Sequence, residues 1–304
     1  MKVNKLKEPK QTVEKGKTGK LPKLNQKIKT TMYFEIQGNK KEDVKKAMQN
    51  QLNELEKKAE LKNYRTEDIV EVEPDQTDQE MESQFNEEQM YSISSETTIN
   101  STLSQLIEIA IRYTPSMVEI ESPNNFNLSS KELLSMFGKI SNLLSKMTEE
   151  LGPIVELPDF EIEERPTEDL DDMKILDLVE DGNIWFRMVT EAYGDNQEQV
   201  VDRVLQYLNI HGTMITNYKV QNDNPEKFEG QIAIEGLSRF ENLFVLNSEF
   251  LPTAFSIIEP DEKTIKAREL QNALTDLAGI SFELTHRQIF KQKIKNKQKP
   301  EQQN

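Results

Sequence analysis

Apolar and polar positions alternate through NIWFRMVTEA, setting Ile184, Phe186 and Met188 against Trp185, Arg187 and Val189, the period of two that a half-buried strand requires. In NQEQVVDRVLQYLNIHG the period lengthens: Val200, Val204, Leu205 and Leu208 share one helical face, and Gly212 follows as a stop. TMITNYKVQ and FEGQIAIEGL predict two strands joined by NDNPEK, whose Asn, Asp and Pro suit a hairpin turn. Ser238 is placed to cap a helix carrying Phe240, Leu243, Phe244 and Leu246, and Pro252 ends that helix before the strand TAFSIIEP. The order is βαββαβ, with one further helix behind it.

The first half reads in the same order. TTMYFEIQ predicts a strand, KEDVKKAMQNQLNELEKKAEL a helix and YRTEDIVEVE a strand; QMYSISSETTI, STLSQLIEIAIRY and SMVEIESP then predict strand, helix and strand, again before an extra helix. Laying Pro115 on Pro252, an offset of 137, aligns the halves without a gap through the last helix. Identities are Pro115/Pro252, Ile120/Ile257, Pro123/Pro260, Glu132/Glu269 and Leu133/Leu270, and Val118/Phe255, Leu128/Ile265, Phe137/Leu274 and Ile140/Leu277 keep apolar character. An internal duplication is expected, of two tandem ferredoxin-like α+β domains with antiparallel sheets. In each closing helix one apolar stripe recurs: Leu133, Phe137, Ile140, Leu144, Met147 and Leu151, then Leu270, Leu274, Leu277 and Leu284 with Ser281 interrupting. Such a seam covers its own sheet or pairs with its counterpart.

Charge divides the chain further. Of 304 residues 54 are acidic and 38 basic, giving −16; residues 1–30 carry +8 and residues 287–304 carry +5, which leaves −29 on the body between. Both ends lack apolar periodicity, so residues 1–30 and 289–304 are expected to be disordered basic tails. The expected domains are 31–151, with an acidic insertion at about 73–88, and 183–288, joined by an acidic, Pro-containing linker at 152–182.

Recognisable chemistry is sparse. The chain has no cysteine, which excludes thiolate metal sites, disulfides and a catalytic thiol. His211 and His286 lie far apart in sequence and each falls at a helix end, a placement that needs no metal or general-base role. Gly16–Thr18 ends like a phosphate-binding loop, but Gln11 stands where its first glycine belongs. DLDDMKILDLVE misses the calcium-loop pattern because Lys174 fills the place of its glycine. The strand order resembles both RNA-recognition domains and ACT-like regulatory domains, yet the third strands lack the aromatic run that stacks bases. Trp185 is expected to be packed or half-buried.

The expected protein is therefore a non-enzymatic, cytoplasmic interaction or regulatory protein without a cofactor or metal. It binds another protein, itself or a small ligand, and has no contact with membrane, as no apolar run approaches the roughly 20 residues of a spanning helix. The alternative is a nucleic-acid-associated factor that meets phosphate through its tails only, by Lys15, Lys17, Lys20, Lys23, Lys27, Lys29, Arg287, Lys291, Lys293 and Lys295.

Overall fold

A computed structural model describes residues 26–72, 90–151 and 166–298; of the side chains at 150, 151 and 287–298 only the backbone course is described. The expected acidic insertion, and most of the N-terminal tail, lie outside these residues. Among the described residues, seven helices and eleven strands form a mixed α+β fold with antiparallel sheets.

The first half runs β1 (Ile28–Gly38), α1 (Lys41–Lys58), β2 (Glu60–Thr66), β3 (Val70–Val72), β4 (Met90–Ser101), α2 (Leu103–Tyr113), β5 (Met117–Ser122), β6 (Asn125–Ser129) and α3 (Ser130–Leu151). After α4 (Asp172–Glu180), the second runs β7 (Ile184–Gly194), α5 (Gln197–Ile210), β8 (Met214–Asn222), β9 (Phe228–Ser238), α6 (Phe240–Phe250), β10 (Ala254–Glu259), β11 (Glu262–Lys266) and α7 (Ala267–Gln298). The sheets are ordered β2-β4-β1-β5, with β3 also on β4, and β8-β9-β7-β10. Counted within each half, these are the same order.

Element boundaries match closely. From α2/α6 through β5/β10 and β6/β11 to the start of α3/α7, every boundary differs by 137. Thr114 and Leu251, also 137 apart, both close their helices in the left-handed region. The strands β1 and β7 instead differ by 156. The first half thus carries 19 more residues across α1 and the segment after it.

Several expectations need correction. The expected N-terminal tail runs through residue 30, but β1 begins at Ile28, because Ile28 and Thr30 are buried against the core. Helix α1 stops at Lys58, and the following Glu60 and Leu61 begin β2. Ser238 does not cap α6: it is the buried last residue of β9, and its hydroxyl donates to the Gly212 carbonyl (3.2 Å). The expected linker includes α4, capped by the Asp171 carboxylate on the Lys174 amide and anchored by buried Ile175. Arg239 and Lys263 hold its end by donating to the Asp181 and Gly182 carbonyls (both 2.6 Å), cations at a helix C-terminus. At the far end of the chain α7 runs on to Gln298, ten residues beyond the expected domain edge, because Lys and Gln prolong an existing helix at little cost.

Strands β6 and β11 were not foreseen, and they join the halves. They pair antiparallel with Asn127 opposite Thr264, two positions 137 apart, so the ribbon reads the same from either half. Thr264 Oγ1 donates to Asn127 Oδ1 across this centre (2.7 Å). The closing helices then cross over. Helix α3 packs on α6 and β10 of the second half, and α7 on α2 and β5 of the first. Phe137 of α3 meets Phe255 of β10, with ring centres 5.1 Å apart, and Asn247 of α6 donates to the Phe137 carbonyl. Reciprocally, Thr275 and Gln271 of α7 accept from the Val118 and Ile120 amides (3.3 and 3.2 Å), sealing the edge of β5. Leu133, Phe137, Ile140, Leu144, Leu270, Leu274, Leu277 and Leu284 are all buried in one continuous core. Ser281 interrupts the stripe harmlessly, as its hydroxyl donates to the Leu277 carbonyl (2.9 Å).

Candidate functional site

With their helices on one side, both sheets present the opposite face outward. In β7 this face carries Trp185, Arg187, Val189, Glu191 and Tyr193, the alternation read from the sequence. Trp185 is half-buried there and donates from its indole to Glu235 (3.2 Å), which also pairs with Arg187. Towards the β8–β9 hairpin the face recesses into an open cavity of about 520 Å³ lined by Glu191, Tyr193, Asp223, Asn224, Glu229 and Gln231, among others.

Local hydrogen bonds shape that cavity. Asn222 Oδ1 accepts from the amides of Asn224 and Glu229, and Asn224 Oδ1 from that of Glu226, so the Asn-rich turn supplies its own backbone partners. Asn224 Nδ2 donates to Glu229 (3.1 Å), and this bond, with Lys227 nearby, holds the Glu229 carboxyl below its ordinary range. Tyr193 is 64% exposed and donates to Glu191 (3.0 Å), which pushes its phenol up. Gly230 floors the site: a Cβ there would lie 2.0 Å from the Gln221 carbonyl oxygen. Carboxylates around an exposed ring suit a cation or a hydrogen-bond donor and repel phosphate.

Two further clusters lie on the helical side. In the first half Glu108 of α2 receives Lys58 (2.7 Å), Arg112 (3.2 Å) and, at 3.9 Å, Lys139. The hydrogen bond from Lys58 holds the Glu108 carboxyl below its usual range, while burial pushes Lys139 down. In the second half Tyr207 donates to Glu249 (2.9 Å) and packs at a tilt against His211, with ring centres 4.3 Å apart. Burial, then the bond to Glu249, raises the Tyr207 phenol well above its ordinary value. Burial likewise raises Glu249, against the opposing effects of Tyr207 on α5 and His211 just after it, and with a smaller push from Glu283 on α7.

Glu249 fixes the sign of one pH effect. A carboxyl raised in the folded state binds protons more readily there than in the unfolded chain, so its penalty is absent below its ordinary value of 4.5 and grows as pH rises through the folded value. Glu249→Gln keeps an acceptor for Tyr207 and removes the charge. Its urea midpoint is expected above that of the parent at pH 7 and level with it near pH 4; equal midpoints at both would show that the carboxyl carries no such penalty.

Of the ten basic residues expected to meet polyanions, six fall among the described residues. Lys15, Lys17, Lys20 and Lys23 lie outside the described residues. Lys27 is exposed before β1, and Lys29 on β1 pairs with Glu121. Arg287, Lys291, Lys293 and Lys295 fall on the α7 extension. His286 stacks on Phe282, and its Nδ1 lies 3.0 Å from the Phe282 carbonyl. Among the described residues no group of three or more His, Asp or Glu side chains is arranged to hold a metal. Sequence reasoning missed Glu191, Tyr193 and Glu229; the usable signal was their outward parity on β7 and β9 beside an Asn-rich turn.

Taken with these surfaces, the fold defines a mixed α+β protein of two antiparallel-sheet halves clasped by their closing helices. The chain belongs to the MJ0538 family, which it matches over residues 29–292. A relative named Uncharacterized protein MJ0538, from Methanocaldococcus jannaschii, is 28% identical over 274 residues, spanning 87% of this chain and 99% of that protein. No solved structure matches the chain. No described helix is long and apolar enough to cross a membrane.

Proposed function

We propose that this is a non-enzymatic interaction or regulatory protein, built by duplication of a ferredoxin-like unit, which holds a protein partner or small ligand on its outward sheet surface. The repeated strand order and the 137-residue register support the duplication. The observation that carries the function is the open, carboxylate-lined recess beside exposed Tyr193, with its floor fixed by Gly230. Such a recess favours a basic side chain or an amine over a phosphorylated ligand. The family match spans residues 29–292, which include both sheets and the recess.

Affinity capture with the full chain and with the double variant Glu191→Lys/Tyr193→Ala tests this reading. Both positions are exposed, so the fold should survive. A partner or ligand retained by the parent and lost by the variant supports it; equal recovery by both moves the site elsewhere.

The nucleic-acid reading keeps one supporting observation. Arg287, Lys291 and Lys295 recur every four residues on the α7 backbone, which places the three positions on one face. If about five phosphates are neutralised, log K on duplex DNA should fall with log salt at a slope of roughly −4 to −5. Absence of binding at about 50 mM salt in fluorescence anisotropy would dispose of it.

A further inference from the structure

The 137-residue register exposes an inversion of charge between otherwise matching helical faces. Arg112 of α2 corresponds to Glu249 of α6, and on the closing helices Lys139 corresponds to Asp276 and Lys146 to Glu283. These six positions form two stripes. Lys139 and Lys146, seven residues apart, share one side of α3, and Lys139 places that side against α2 by donating to the Ser104 carbonyl (2.6 Å). Asp276 and Glu283 share the matching side of α7; Asn272, one turn earlier, donates to Glu241 of α6 (2.9 Å), and the Glu283 charge reaches Glu249. One molecule therefore carries a basic helical face on its first half and an acidic one at the equivalent place on its second. On the first face Lys58, Arg112 and Lys139 share the single acid Glu108, so that face stays net basic; on the second, partial burial pushes the Asp276 carboxyl up, so its charge gains from an opposite partner.

We propose that the protein assembles head to tail with further copies of itself, the basic α2–α3 face of one molecule docking on the acidic α6–α7 face of the next. Such a contact is heterologous: each molecule uses one face of each sign, so assembly continues into a ring or a chain rather than stopping at a two-fold dimer. The net charge of −16 opposes association at long range, but the Debye length is about 10 Å at 0.1 M salt, so the charges on the apposed faces govern close contact. Association is expected to be salt-labile, because Arg112, Lys146, Asp276 and Glu283 are all exposed.

Sedimentation velocity of the full chain at about 50 and about 500 mM salt tests this, with two charge-reversed variants confined to those exposed positions. Arg112→Glu/Lys146→Glu makes both faces acidic, and Asp276→Lys/Glu283→Lys makes both basic. The parent should form species larger than a monomer at low salt and dissociate at high salt. Each variant alone should stay monomeric, with unchanged circular dichroism, and mixing the two should restore association. A monomeric parent at low salt overturns the proposal, as does a variant that associates alone like the parent, or a mixture of folded variants that stays monomeric.

Discussion

Truncating Ile140 or Leu277 to Ala is expected to lower the unfolding free energy by about 2–5 kcal/mol each. Both side chains are fully buried and sit at equivalent places, 137 residues apart, on α3 and α7. Neither site can collapse readily, because each helix is wedged between elements of both halves. Urea midpoints measure the loss, and shifts worth under about 0.5 kcal/mol would show that the closing helices do not pack as described. The crossover adds a sharper requirement. Trp185, the single tryptophan, lies in the second half, so its fluorescence and the whole-chain circular dichroism should report one coincident transition for Ile140→Ala. Separate transitions would mean that the halves unfold as independent domains.

Phe137→Ala should cost about 3–5 kcal/mol, at the upper end for a core truncation. Its ring belongs to the first half by sequence but fills the second: it packs edge-on against Phe244 at 6.4 Å and against Phe255, which stacks on Phe186 at 5.5 Å. Removing it opens a cavity beneath β10 and strips an aromatic cluster of its centre. Phe137→Leu, which installs the residue found at the equivalent position 274, should lose clearly less. Equal losses for the two variants, read from denaturant midpoints, would show that aliphatic volume does not substitute for the ring at this site.

The elements that face water on one side were legible from the sequence, because a half-buried strand or helix writes its burial as a period. Strands β1, β7, β8 and β9 and helices α2, α5 and α6 fall within a few residues of the expected places. The 137-residue register was legible too, and the element boundaries from α2 to the start of α3 keep it residue for residue. What escaped was short or two-sided. Asn125–Ser129 and Glu262–Lys266 alternate as strands do, with Phe126, Leu128 and Ile265 buried, but five residues beside a helix start carry too little pattern to separate from a loop. Their pairing is with each other, across 137 residues, and no local signal encodes that. The destination of the apolar stripes was hidden for a related reason: Leu133, Phe137 and Ile140 announce burial, but a period names no partner. Of the candidate site, the parity of Glu191 and Tyr193 was readable, whereas the recess depends on how the β8–β9 turn folds back over Gly230.

The ribbon of β6 and β11 has a further meaning for how such a chain is held together. Since Asn127 and Thr264 pair as equivalents, each half offers the other the same surface that it takes, the geometry of two identical subunits around a dyad. A half expressed by itself would present an apolar helix with no place to lie, and a second copy of that half would be its natural cover. Joining the two in one chain turns this bimolecular encounter into an intramolecular one, at an effective concentration set by the short span from Leu151 to Ile184 rather than by the amount of protein. The clasp then persists at any dilution, and the two halves are free to differ in sequence, as the opposite charges at 112 and 249 do.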